Sequence, residues 1–294
     1  MCLKMTTNEL LEKIRRIEIK TKGLTKQFFT GQYHSSFKGR GMTFSEVREY
    51  QLGDEVRTID WNVTARFRSP YVKVFEEERE LVVMLLVDIS GSTNFGTGGK
   101  TKKELALELM SVLAFSAIEN NDKVGAMFIS DGVEKYIAPG KGKKHVLYIL
   151  REFIEFEAKS KTTNLVKGLE FFRKCMKKRT VCFVISDFID EHPIESALAL
   201  LKRKHDMIAL RIQDEAEYVL PDLGLIQLYN AETGTTNWVN TSDKKTRQRF
   251  EEQAIAQSET VTALFKRIGV QQEVINTSED YIPKLVHLFQ RHKK

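Results

Sequence analysis

The chain has 294 residues, room for one large or two small domains, and its 41% hydrophobic and 29% charged content is that of an ordinary globular protein with no run long enough to span a membrane. Its amino terminus, Met1-Cys2-Leu3-Lys4-Met5, lacks the apolar core of a secretory signal, and the scattered Cys2, Cys175 and Cys182 exclude a disulfide framework or a cysteine metal cluster, so a reducing cytoplasm is expected. The net charge of +6 is carried by basic clusters such as Lys100-Thr101-Lys102-Lys103 and Lys141-Gly142-Lys143-Lys144, which are expected to be solvated helix ends because no aromatics interleave with them as a nucleic-acid platform requires.

Thr6-Thr7-Asn8-Glu9 has the pattern of a capping box opening a helix whose apolar face is Leu10, Ile14 and Ile17, ending near Gly23. Residues 29–80 look strand-like, with turns at Gly39-Arg40-Gly41 and Gly53-Asp54. They carry a dense charged block with single aromatics: Arg48, Tyr50, Asp54, Arg57, Asp60, Trp61, Arg66 and Glu78. Pairing of Asp54, Asp60 and Glu78 with Arg48, Arg57 and Arg66 is expected to form a structural network, with a partner-binding face as the other reading.

An alternating pattern follows. The strand expected at 81–87 precedes a helix at 101–120, a hairpin over 123–137, helices at 144–158 and 164–177, a strand at 180–186, a helix at 193–205 and a strand at 206–212. Such alternation predicts a doubly wound, mostly parallel α/β sheet. Beyond it come a hairpin over 225–231 and 235–240 with Gly234 at a positive φ, a long helix at 243–268 stopped by Gly269, a strand at 271–275 and a helix ending near Phe289. The expected division is 1–80, a helix and a small β-rich region, and 81–294, the α/β domain.

Chemistry concentrates where the apolar run 81–87 ends, at Asp88-Ile89-Ser90-Gly91-Ser92. Loops leaving the carboxyl ends of strands bind ligands in open α/β sheets. Alternation lets Asp88, Ser90 and Ser92 face one point with hard oxygen donors of the kind Mg²⁺ accepts. The plainer reading is a Ser/Gly turn whose Asp caps the next helix. Two later segments weigh against it: Thr162-Thr163-Asn164 opens a helix, and the buried-strand run 181–186 ends in Asp187.

Two decoys fall away. Asp131-Gly132 lies between strand-like runs and is expected to be a hairpin turn. Gly99-Lys100-Thr101 resembles the end of a phosphate-binding P-loop, but the glycine needed five positions earlier is Asn94.

The ordered set of D-x-S-x-S, then T, then D resembles the metal-ion-dependent adhesion site of von Willebrand factor A domains. The resemblance implies that Asp88, Ser90, Ser92, Thr163 and Asp187 hold Mg²⁺ or Mn²⁺, the remaining position taking an acidic group from a partner. The block Gly41-x-x-Phe44, Arg48-Glu49-Tyr50, Gly53-Asp54, Arg57, Ile59-Asp60-Trp61 and Ala65-Arg66 resembles one that precedes the A-type domain in the bacterial domain-of-unknown-function-58 family. Lys161-Thr162 departs from the glycines usual there. This resemblance implies a cytosolic adaptor, not an enzyme, that works with a MoxR-type AAA+ ATPase in assembly or maturation of another complex. The alternative is a metal-dependent hydrolase of phosphate esters or NTPs, which would need a base beside the metal. His34 and His192 are the only histidines beside acidic or signature residues.

Overall fold

The computed structural model describes residues 41–67, 69–78, 81–97, 99–190, 192–229 and 234–291. The helix predicted over Thr6 to Ile17, along with His34 and Cys2, lies outside them. The chain divides into two compact units, 37–81 and 82–294, the latter grouped with 1–36.

The small unit is an antiparallel pair, β1 (Gly41–Glu49) with β2 (Tyr71–Glu78), joined through a helix α1 (Trp61–Phe67). That helix corrects the strand-like reading of 29–80. Asp60 is its cause: Oδ1 accepts the backbone N–H of Asn62 at 3.0 Å and of Val63 at 3.3 Å, satisfying the orphan donors of a first turn. Thr64 then secures the end, its hydroxyl accepting from the Tyr71 N–H at 2.9 Å.

The charged block pairs in part as expected, and the Glu78 side chain lies outside the described residues. Arg48 and Asp54 form a two-pronged pair at 2.7 and 2.8 Å, and Asp54 also accepts from the Gln51 N–H, closing a turn within this unit. Asp60 pairs with Lys73 at 3.3 Å rather than with an arginine. Among the described residues Arg57 and Arg66 enter no ion pair, and Trp61 is exposed. With Arg48 itself 38% exposed, the pairing is a surface feature of small energetic weight rather than a buried network.

The large unit is built on a six-stranded sheet. Its strands are β3 (Val82–Asp88), β4 (Lys123–Ile129), β5 (Val133–Gly140), β6 (Val181–Ser186), β7 (Asp206–Gln213) and, later in the chain, β10 (Gln271–Asn276). They lie in the order β10-β7-β6-β3-β4-β5, all parallel except β5, which returns antiparallel beside β4 through Asp131-Gly132. The fold is thus an α/β fold with a mostly parallel sheet. The chain leaves β3 toward β4 and β5, then crosses back to β6, β7 and β10. Strand order therefore reverses between β3 and β6, and Asp88 and Asp187 lie at those two carboxyl ends.

Both faces of the sheet are covered, which is why β3 and β6 are unbroken apolar runs. On one face lies α2 (Lys102–Glu119), buried almost all round and packed on β3, β4, β7 and α3 (Lys143–Glu155). On the other lie α4 (Leu165–Cys175), α5 (Glu195–Lys202) and part of α6 (Lys244–Ile268). There Met84 and Leu86 of β3 join Met127, Ile129, Leu169, Phe172, Leu198 and Phe265 in one core. Gly168 lets α4 sit against β4, since a Cβ there would meet Ile129 at 2.5 Å. The hairpin β8 (Leu225–Tyr229) and β9 (Thr236–Asn240) precedes α6, and α7 (Ile282–Arg291) packs on β10. Gly269 ends α6 at φ 67°, where the Val270 N–H donates back to the Phe265 carbonyl.

Candidate metal centre at the sheet's switch point

In open α/β sheets the crevice outside the strand ends, where the order reverses, is the ligand position. Here the loop after β3 curls through a short 3-10 turn, Gly91–Asn94, before α2. The Asp88 carboxylate is held from both sides: Oδ1 accepts the Ser90 N–H at 2.8 Å, and Oδ2 accepts the Ser186 hydroxyl at 2.8 Å across from β6. The Ser90 and Ser92 hydroxyls come within 3.1 Å of each other. Lys161 ties the threonine loop to this one, its carbonyl accepting from the Gly91 N–H at 2.9 Å, and the Asn164 N–H bonds the Ser130 carbonyl at 2.7 Å. Thr163, between these anchors, is buried at 5% exposure.

Asp187 follows β6 on a strained turn. Phe188 has φ 58°, a conformation that a bulky side chain rarely adopts, yet it is buried against Phe265 with ring centroids 4.9 Å apart. The kink lets Oδ1 of Asp187 accept the Ile189 N–H at 3.1 Å, while its carbonyl accepts from buried Arg211 at 3.3 Å. Backbone strain of this kind clusters at functional sites.

The sequence thus named donors that the fold connects by direct bonds (Asp88, Ser90, Ser92) or by their loops (Thr163, Asp187). It missed three contributors. Ser186 was visible only as a strand residue. Lys102, in a cluster read as solvated, is 1% exposed: its ammonium donates to Asp187 Oδ2 at 3.0 Å and to Glu217. The available signal was helical spacing, since Lys102 stands three and four residues before buried Leu105 and Ala106. Glu217, on a 3-10 turn after β7, had no motif at all.

Electrostatics follow from this burial. Desolvation, then the negative charge of Asp187, pushes the Asp88 carboxyl up to about 7. Burial raises Glu217 above the usual carboxylate range, against the pull of Lys102. Burial acts most strongly on Lys102 and opposes its charge, but Asp187 and Glu217 together outweigh it and hold the ammonium above its ordinary value. Three carboxylates, Asp88, Asp187 and Glu217, stand here against two buried cations, Lys102 and Arg211.

The donor set fits a small hard cation. An octahedral ion with oxygens at about 2.0–2.1 Å places neighbouring ligands about 3.0 Å apart, close to the serine pair's separation. Among the described residues no three His, Cys, Asp or Glu side chains group as a metal cluster, so the hydroxyls are essential to such a site. Outside the pocket, Asp131 is a hairpin residue paired with Lys167 at 2.9 Å, both half exposed. Thr101 caps α2 in a capping box with Glu104, the role left to it once the P-loop reading fails.

The surroundings are also defined. Asp214 anchors the loop before α2 to the far strands, accepting from the Thr97 N–H and hydroxyl at 3.0 and 2.6 Å and from the Thr277 hydroxyl at 2.5 Å. The β8–β9 hairpin reaches the threonine loop, where Lys161 Nζ approaches the Tyr229 hydroxyl at 3.4 Å. Leu225, Tyr229 and Trp238 share one face of that hairpin, and all are exposed.

The family model described as "Protein of unknown function DUF58" matches residues 46–260. The uncharacterized protein Rv1480 of Mycobacterium tuberculosis is 26% identical over 280 residues, 95% of this chain and 88% of its own length. YeaD of Bacillus subtilis, also described as uncharacterized, is 31% identical over 121 residues, 41% of this chain and 26% of its own. Among solved structures the chain is similar to the conserved hypothetical protein BatB from Bacteroides thetaiotaomicron, at 13% identity and TM-score 0.48, covering 72% of this chain and 98% of that one. It is also similar to the VWA domain of SpRpn10, at 14% identity and TM-score 0.40, covering 72% and 95%. Because the family match runs from within β1 through β7 and into α6, well over half of the chain, the chain belongs to the DUF58 family.

Proposed function

We propose that the protein is a divalent-cation-dependent protein-binding module of the cytosol, acting as an adaptor for a MoxR-type AAA+ ATPase in assembly or maturation of another complex. The observation that carries this reading is the meeting of Asp88, Ser90, Ser92 and Asp187 at the reversal of strand order, with the two serine hydroxyls at the spacing of adjacent ligands. Asp88, Ser90, Ser92, Thr163 and Asp187 would hold Mg²⁺ or Mn²⁺. The ion would supply an electropositive point that an acidic side chain of a client completes, which is binding chemistry with no covalent step. The exposed Leu225, Tyr229 and Trp238 beside the threonine loop support a protein partner, since clustered exposed apolar side chains mark interaction surfaces. Capture of the cognate ATPase on immobilised protein tests the reading. It should require Mg²⁺, fail in EDTA, and weaken with Ser90→Ala or Thr163→Val.

The hydrolase reading has one observation in its favour. His192 Nδ1 lies 2.7 Å from Asp190 Oδ1, and Asp190 Oδ2 accepts from the Leu165 N–H at the start of the helix after Thr163. A carboxylate-oriented imidazole is the form a general base takes. Metal-dependent turnover of ATP or a phosphate ester by the purified protein, lost in His192→Ala, would establish that reading and displace the adaptor.

A further inference from the structure

Lysine is almost never fully buried unless paired, and Lys102 is paired on an oxygen of Asp187. Lys102 and Asp187 side chains are each 2% exposed, whereas Glu217, the ammonium's second acceptor, is 21% exposed. Glu217 is fixed independently of the lysine: its other oxygen accepts the Asp214 N–H at 3.0 Å in a capping box, and Asp214 is itself bonded by Thr97 and Thr277. One ammonium is thus shared between a dry carboxylate among the proposed metal ligands and a wetter, rigid one outside them.

We propose that Lys102 is a built-in cation that competes with divalent metal for Asp187, and that Glu217 is the acceptor to which its ammonium withdraws when metal is seated. The inference rests on the metal reading above. An ammonium and a divalent ion on the same carboxylate repel strongly in a buried site, where screening is weak. Occupancy of Asp187 by Lys102 therefore lowers metal affinity, and Glu217 partly restores it by drawing the ammonium away. Loss of a nearby positive or negative charge shifts metal affinity in these directions by itself, so competition is marked by coupling: Glu217→Gln weakens binding more in the presence of Lys102 than in Lys102→Met.

Titration of the full chain with Mn²⁺ alone, followed by the spectrum of free Mn²⁺, tests the two positions through effects of opposite sign. Lys102→Met should bind Mn²⁺ about tenfold or more tighter than wild type, within the usual range of coupling between two sites. Glu217→Gln, which leaves the ammonium on Asp187, should bind about threefold or more weaker. Circular dichroism reports folding of each variant, and if Lys102→Met does not fold, Lys102→Gln takes its place. Measurable wild-type binding that Lys102→Met leaves unchanged or weakens, that Glu217→Gln leaves unchanged or tightens, or on which Glu217→Gln has the same effect with Lys102 present and in Lys102→Met, overturns the competition while sparing the metal site. No Mn²⁺ binding at millimolar concentration by wild type or by folded Lys102→Met overturns both.

Discussion

The hydroxyl of Ser186 donates to Asp88 at 2.8 Å, joining the carboxyl ends of β3 and β6, two strands 98 residues apart in sequence. The bond spans the line where strand order reverses, so it closes the crevice in which the candidate site lies. The same Ser186 oxygen accepts the Phe188 N–H at 3.0 Å, coupling the Asp88 carboxylate to the strained turn that carries Asp187.

Metal should stabilise the fold. In the proposed site Mg²⁺ or Mn²⁺ would bind only the folded arrangement of Asp88, Ser90, Ser92, Thr163 and Asp187, so excess ion should raise the melting temperature by mass action, by a few degrees for about 1 kcal/mol of linkage. Asp88→Ala should abolish the shift. Calorimetry with and without ion is the measurement, and an equal response in wild type and variant would remove the site.

Asp187 and its decoy Asp131 should separate cleanly. Asp187→Ala leaves Lys102 on Glu217 alone, a smaller loss than the about 3–5 kcal/mol for a fully orphaned buried charge, and it should end metal binding. Asp131→Ala breaks only an exposed pair with Lys167 and should cost less than about 1 kcal/mol with metal response intact. Urea titrations of both variants, with and without Mg²⁺, decide; loss of metal in Asp131→Ala would contradict the assignment.

Stability should depend on pH through two buried groups of opposite sign. The folded value of about 7 for Asp88 lies above its unfolded value of 3.8, so the folded state holds the extra proton and stability falls as pH rises from 3.8 to 7. Burial lowers His205 to about 4 from 6.5, so the unfolded state takes the proton first and stability falls as pH drops from 6.5 to 4. Its Nδ1 has no hydrogen-bond partner among the described residues, and its ring packs edge-on to Phe172. In EDTA, Asp88→Asn should therefore gain at least about 1 kcal/mol relative to wild type between pH 5 and pH 8. His205→Leu should flatten the acid arm. Denaturant melts across this range check both, and a gain in Asp88→Asn that does not grow with pH would contradict the charge assignment.

Phe188 should reverse the usual order of alanine and glycine. Removing its buried ring costs about 3–5 kcal/mol in either variant. At φ 58°, however, glycine escapes the roughly 1–2 kcal/mol that a Cβ adds in the left-handed region, so Phe188→Gly should be more stable than Phe188→Ala. Equilibrium unfolding of the pair measures the difference; the ordinary order would mean that the turn relaxes once the ring is gone.

The sequence by itself determined the alternation of strands and helices in the large unit, because strands buried on both faces leave unbroken apolar runs and Thr101, Asp131-Gly132 and Gly269 mark local turns and caps. Local spacing also singled out Asp88, Ser90 and Ser92 as candidate donors at a strand end, while Thr163 and Asp187 joined them as a metal set through the resemblance to von Willebrand factor A domains. Local pattern misread residues 61–67, where one Asp60 carboxylate starts a helix within a charged, aromatic stretch. Only the tertiary structure decided the sheet order, the Ser186–Asp88 bond and the burial of Lys102 against Asp187 and Glu217. Those partners are separated by about a hundred residues, and a lysine in a basic cluster looks solvated until the fold brings two distant carboxylates to it. Whether a charge is buried or exposed depends on what packs over it, and no neighbour in sequence carries that information.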